Sequence, residues 1–158
     1  MLELVAIDRD GMPRGFTGEL AEAARDVLGA TADFYSAAGF MEPWISYLAL
    51  AGSVPVGICS FKSEPLDGRV EIGYFTFAGH EGRGVATAMA ARLVAIAAAE
   101  DSRVLVTART LCARNASHRV LEKLGFRAVG TVEHPRDGMV LEWHRDTAVR
   151  AYSEDMER

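Results

Sequence analysis

Cysteine is nearly absent: Cys59 and Cys112 are the only two in 158 residues, and no CxxC pair occurs. That excludes a disulfide framework and a CxxC metal or redox centre, and it points to a reducing compartment. A surplus of basic charge is missing too, because 17 Lys and Arg stand against 22 Asp and Glu for a net charge of −5. A general nucleic-acid binder needs a basic face to displace counterions, so no nucleic-acid partner is expected, whereas an acidic balance suits a cationic substrate. No apolar run reaches the roughly twenty residues that cross a bilayer. The longest, Val85 to Ala99, is alanine-heavy and carries Arg92, which reads as a core helix and no membrane partner. The start MLELVAIDRD has acids where a signal peptide has bases, so a cytoplasmic location is expected. His80, His118, His134 and His144 show no metal-ligand spacing; no metal is expected, and they read as surface or hairpin residues.

What is present suits one globular domain. Nearly half of the residues are hydrophobic and a quarter charged, ordinary values for a chain able to bury a core. The apolar and turn patterns predict a strand at Leu2–Ile7 and a loop at Asp8–Gly15. A helix capped by Thr17 is expected to end at Gly29, with a second helical piece over Ala30–Phe40. Trp44–Ala51, Val54–Phe61 and Arg69–Phe77 read as three antiparallel strands of a meander. After the alanine-rich helix come a strand at Val104–Thr107, a helix at Ala116–Leu124 closed by Gly125, and strands at Phe126–Glu133 and Met139–His144 around a turn.

The chemically suggestive stretch is GHEGRGVATAMAARLVAIAAA, residues 79–99, where a glycine turn runs from a strand straight into a helix. First-turn amides of a helix lack internal partners and sit at the positive end of its dipole, so they invite an anion. Gly82 and Gly84 put no Cβ in the way, and Arg83 adds a cation. The same glycines also serve a turn that binds nothing. A P-loop is excluded because Val85 and Ala86, not Lys and Ser or Thr, follow Gly84; a dinucleotide fingerprint is excluded because Thr87 stands where its third glycine belongs.

EIGYFTF, EGRGVATA and NASHRVLEKLGFRAVG together resemble the GCN5-related N-acetyltransferases (GNAT), most closely the branch acting on ribosomal-protein N-termini, over Trp44–His144. The resemblance implies an α/β (α+β) single domain over residues 1–145, followed by a polar tail at 146–158. Its mixed, mostly antiparallel sheet of about seven strands would be splayed between the fourth and fifth, with helices on both faces. It implies acetyl-coenzyme A as co-substrate and no metal. The acceptor would be a small-molecule amine or a protein N-terminus attacking directly in a ternary complex, and a homodimer stays open. A non-catalytic acyl-coenzyme A binding module of the same fold and, more remotely, a nucleotide-binding regulatory domain are the rival readings.

By the same resemblance Gly82, Arg83, Gly84, Val85, Ala86 and Thr87 hold the pyrophosphate. Phe75, Thr76 and Phe77 lend main-chain groups to the pantetheine arm, their side chains being core. Glu81 departs from the family's Gln or Arg and reads as a solvated loop acid. An alkyl amine is mostly protonated at neutral pH, so attack needs a proton acceptor; Glu71 is assigned that role, or else it is a strand-end acid paired with Arg69 or a neighbour. Leu121 stands where the family often has tyrosine. The resemblance to the ribosomal-protein branch implies that Ser117, earlier in the same helix, faces the departing thiolate; otherwise it is a plain helix-start serine. Arg114 occupies the family's asparagine position and Asn115 follows it, so that Asn115 either contacts the cofactor or caps the helix while Arg114 reaches a coenzyme phosphate. Tyr35, Phe40 and Trp44 are candidates to line the acceptor pocket.

Overall fold

A computed structural model describes residues 2–146; the expected polar tail lies outside them apart from its first residue. The elements run β1 (Leu2–Ala6), α1 (Glu22–Ala38), β2 (Ser46–Ala51), β3 (Val54–Phe61), β4 (Arg69–Thr76), α2 (Val85–Glu100), β5 (Leu105–Leu111), α3 (Ala116–Lys123), β6 (Arg127–His134) and β7 (Gly138–Asp146). They form one seven-stranded sheet ordered β1-β2-β3-β4-β5-β7-β6. β2, β3 and β4 pair antiparallel in sequence, as the meander requires.

The one parallel pair is β4 with β5, for which α2 is the crossover. It lasts for three registers only, Arg69 with Leu105, Val70 with Val106 and Glu71 with Thr107. Beyond them β4 continues on β3 to Thr76, while β5 pairs with β7 along its whole length. The sheet therefore opens after Glu71, as expected for strands four and five.

Each face has its own core. On one, α2 buries Val85, Met89, Leu93 and Ala97 at intervals of four, with Ala90 and Val94 beside them, against Val70, Ile72, Val106 and Ala108 of the sheet and Leu121 of α3. On the other, Leu28 and Tyr35 of α1 cover Ile7, Ile45, Leu48 and Ile58. A fully buried Leu93 contributes about 2 kcal/mol through area alone. Among the described residues no helix is long and apolar enough to cross a membrane.

Several boundaries differ from the sequence expectation. The two helical pieces before Phe40 are one helix: Ala24, Leu28, Thr31 and Tyr35 form a buried stripe running through Gly29, and that burial outweighs the roughly 1 kcal/mol a mid-helix glycine costs. Its N-cap is Ala21, with no side-chain cap, rather than Thr17. β5 does not stop at Thr107 but reaches Leu111, because β7 pairs with it throughout. Gly125 does close α3: its N–H donates to the Glu122 carbonyl at 3.1 Å and that of Phe126 to Leu121 at 3.0 Å, a Schellman arrangement.

Candidate active site

The loop between β4 and α2 is shaped by three hydrogen bonds. The Phe77 N–H donates to Val56, the His80 N–H to the Phe77 carbonyl at 3.1 Å, and the Gly79 N–H to Glu81 Oε1 at 3.1 Å. Glu81 is thus spent on its own loop. Gly84 is the N-cap of α2 in the left-handed conformation (φ 79°) and supplies no side-chain cap, and Gly82 is also left-handed (φ 76°). Among the described residues the N–H groups of Val85, Ala86 and Thr87 have no partner and the exposed Arg83 has no ion pair. A Cβ built on Gly82 or Gly84 meets nothing within 4 Å. The turn therefore presents open space before unpaired donors at a positive helix end, a fit for a diphosphate.

Main-chain direction on β4 follows from its bonds to β3. Glu71 accepts from Lys62 N–H at 2.8 Å and Phe77 donates to Val56 at 2.9 Å, so odd residues face β3. Alternation turns the N–H and C=O groups of Tyr74 and Thr76 into the opening. Of the three positions expected to serve a pantetheine arm, only Thr76 faces it through its backbone; Phe75 and Phe77 face β3, and Tyr74 takes their place. The Phe75 ring is not core either, being 59% exposed with its edge against Phe77.

Where the strands part, the opening is lined on one side by Lys62, Glu71, Gly73 and Tyr74 and on the other by Ala108, Arg109 and Ser117. It continues into a cleft of about 360 Å³ that reaches Asn115 at the start of α3 and His134 and Asp137 of the β6–β7 turn. Glu71 and Ser117, 46 positions apart in the chain, border the same space. Glu71 Oε1 lies 3.9 Å from Arg109 Nε, which is 3.4 Å from Glu142; Glu142 in turn meets His144 at 2.8 Å. Burial pushes the Glu142 carboxyl up, but His144 and Arg109 outweigh it and hold it below the usual carboxylate range.

Ser117 is fixed by the N-cap of α3, since its N–H donates to Asn115 Oδ1 at 2.9 Å; Asn115 does cap the helix. Beside it stands Tyr74, whose phenol is raised by burial, an effect the Ser117 hydroxyl partly offsets. Sequence reasoning missed Tyr74, because alternation placed its side chain on the α2 face and nothing local shows that this face borders the opening. Arg114, the guanidinium assigned to a coenzyme phosphate, is exposed and pairs with Glu122 of α3 at 2.7 Å.

Other expectations are corrected by burial. His118 is no surface residue: it is 4% exposed, its edge lies against Trp143, and its Nε2 is 2.9 Å from the Leu111 carbonyl and 3.2 Å from Thr110 Oγ1. A carbonyl only accepts, so that nitrogen carries a proton. Tyr35, Phe40 and Trp44 do not line the cleft. The Tyr35 hydroxyl donates to Ile7 and accepts from Ser46 N–H, both at 2.9 Å, Phe40 packs edge-on against Tyr35, and Trp44 packs against Phe61. Tyr35 and Trp44 belong to the two cores, and Phe40 is packed against one of them.

The acetyltransferase (GNAT) domain model matches residues 6–127, which include the loop, Glu71 and Ser117. This chain belongs to the GNAT acetyltransferase family. No curated protein matches its sequence. Among solved structures, this GNAT chain resembles the RimL ribosomal L7/L12 α-N-protein acetyltransferase in complex with coenzyme A, at 17% identity and TM-score 0.68, covering 93% of this chain and 94% of that one. The acetyltransferase from Salmonella typhimurium that modifies the N-terminal serine of L7/L12 gives 17% identity and TM-score 0.63 over 92% and 94%. The aminoglycoside acetyltransferase AAC(6')-Ib, also with coenzyme A, gives 23% and 0.59 over 70% of each chain. At these identities the likeness is one of fold.

Proposed function

We infer that this GNAT protein is an acetyl-coenzyme A dependent N-acetyltransferase that delivers the acetyl group to a primary amine by direct attack in a ternary complex. The observation that carries this reading is the convergence of Glu71 and Ser117 on the opening between β4 and β5, where β4 is the strand that leads through the glycine turn to the uncapped start of α2.

Acetyl-coenzyme A, when bound, supplies an activated acyl thioester. The amides of Val85, Ala86 and Thr87, with Arg83, would hold its diphosphate, and the main chain of Tyr74 and Thr76 its pantetheine arm. These contacts set the distance and angle between acyl group and amine, the largest contribution a scaffold without a nucleophile can make. Glu71 takes the proton from the incoming ammonium, directly or through water, and Arg109 keeps its carboxylate turned to the cleft. The Ser117 and Tyr74 hydroxyls face the sulfur and donate to it as it leaves; burial keeps the phenol protonated across the neutral range.

Titration calorimetry with coenzyme A, followed by thiol release from acetyl-coenzyme A with a panel of amines, tests the reading. Binding together with amine-dependent release is expected. Binding without release from any amine would leave an acyl-coenzyme A binding module instead.

A further inference from the structure

Resting on that reading, we propose that the acceptor amine carries a carboxylate, and that Lys62 is the residue that selects it. The chain is acidic overall, yet its cleft offers the acceptor mainly hydrogen-bond donors. Asn115 accepts the Ser117 N–H on its Oδ1, which leaves its amide Nδ2 without a partner among the described residues. His134 Nδ1 accepts the N–H groups of Arg136 and Asp137, at 3.1 and 3.2 Å, so in the neutral ring the proton is on Nε2, which is likewise unpartnered. The capping and turn bonds that build the cleft thus consume acceptors and leave donors.

Lys62 completes the pattern. It is exposed, and its ammonium has no carboxylate within 4 Å among the described residues. It lies across β4 in space that only glycine leaves vacant: a Cβ on Gly73 would stand 2.9 Å from its Cε and 3.0 Å from its Nζ. It borders the main cleft, the opening itself and the recess beneath α1. Of the two carboxylates in the cleft, Glu71 is 3.9 Å from Arg109, whereas Asp137 stands at the β6–β7 turn 3.5 Å from His134 Nδ1, which bears no proton in the neutral ring. A polycation would find Lys62 and Arg109 in its way. An amine approaching Glu71 with its own carboxylate toward Lys62 meets opposite charge at both ends, and about 360 Å³ holds an amino acid or the first residues of a peptide.

The test measures thiol release with acceptor pairs differing only in a carboxylate: free L-amino acids against their carboxamides, and tripeptides starting with Asp or Glu against those starting with Asn or Gln. Spermidine serves as the polycation. In each pair that is turned over, the carboxylate partner is expected to have about tenfold higher kcat/KM, falling below about threefold in Lys62→Gln and largely kept in Lys62→Arg. A merely structural lysine would not move that ratio. Equal or better turnover of the neutral partners or of spermidine overturns the proposal and leaves acetyl transfer standing. Absence of release from every amine, in protein that binds coenzyme A, removes acetyl transfer and this proposal together.

Discussion

Glu71 occupies the last position of β4 that pairs with β5, and its carboxylate lies 3.9 Å from the guanidinium of Arg109, two residues past the point where β5 leaves β4. The proposed proton acceptor is thereby held at the root of the opening by a cation on the diverging strand. Removing the carboxylate while keeping its shape isolates its role. Glu71→Gln is expected to lower kcat/KM by about a hundredfold and to flatten the acid limb of its pH profile. A profile of unchanged shape would leave Glu71 as a structural partner of Arg109.

Tyr74 and Ser117 share one task if both face the departing sulfur. Tyr74→Phe and Ser117→Ala should each lower kcat by roughly tenfold to a hundredfold while leaving the calorimetric Kd for coenzyme A nearly unchanged. The double variant should be little worse than the poorer single one, since groups acting as a unit are not additive. Strict additivity would assign the two hydroxyls separate functions.

Gly84 carries the turn into α2 at φ 79°. Gly84→Ala should cost about 1–2 kcal/mol, because an L side chain is strained in the left-handed region, and lower Tm by several degrees. Relaxation of the turn should also re-aim the first amides of α2 and weaken coenzyme A binding by about tenfold. Intact affinity at a lowered Tm would show that these amides do not hold the diphosphate.

Glu142 makes a prediction about acid stability. His144 and Arg109 hold its folded carboxyl below the usual range despite burial. A group depressed in the folded state contributes stability above its unfolded pKa and loses it as pH falls through the folded value. The urea midpoint should therefore drop between neutral pH and roughly pH 3, and Glu142→Gln should lower it at neutral pH but flatten that acid decline. An equally steep decline in the variant would move the acid sensitivity to other carboxylates.

Apart from dividing α1 at Gly29, local pattern was enough for the order of elements, the meander of β2, β3 and β4, and the glycine turn into α2, because turn glycines and apolar periods act within a few residues. It also separated Glu71 from Val70 and Ile72 by simple alternation. Tertiary structure decided what those residues face. β7 drew β5 out to Leu111 and so carried Arg109 into the cleft, and pairing with β3 selected Tyr74 and Thr76 over Phe75 and Phe77. Burial took His118, Tyr35 and Trp44 out of the reckoning as surface or pocket residues. The charge balance of the chain averages over its whole surface, whereas the donors left toward the acceptor depend on which atoms Asn115 and His134 had already given to neighbouring amides.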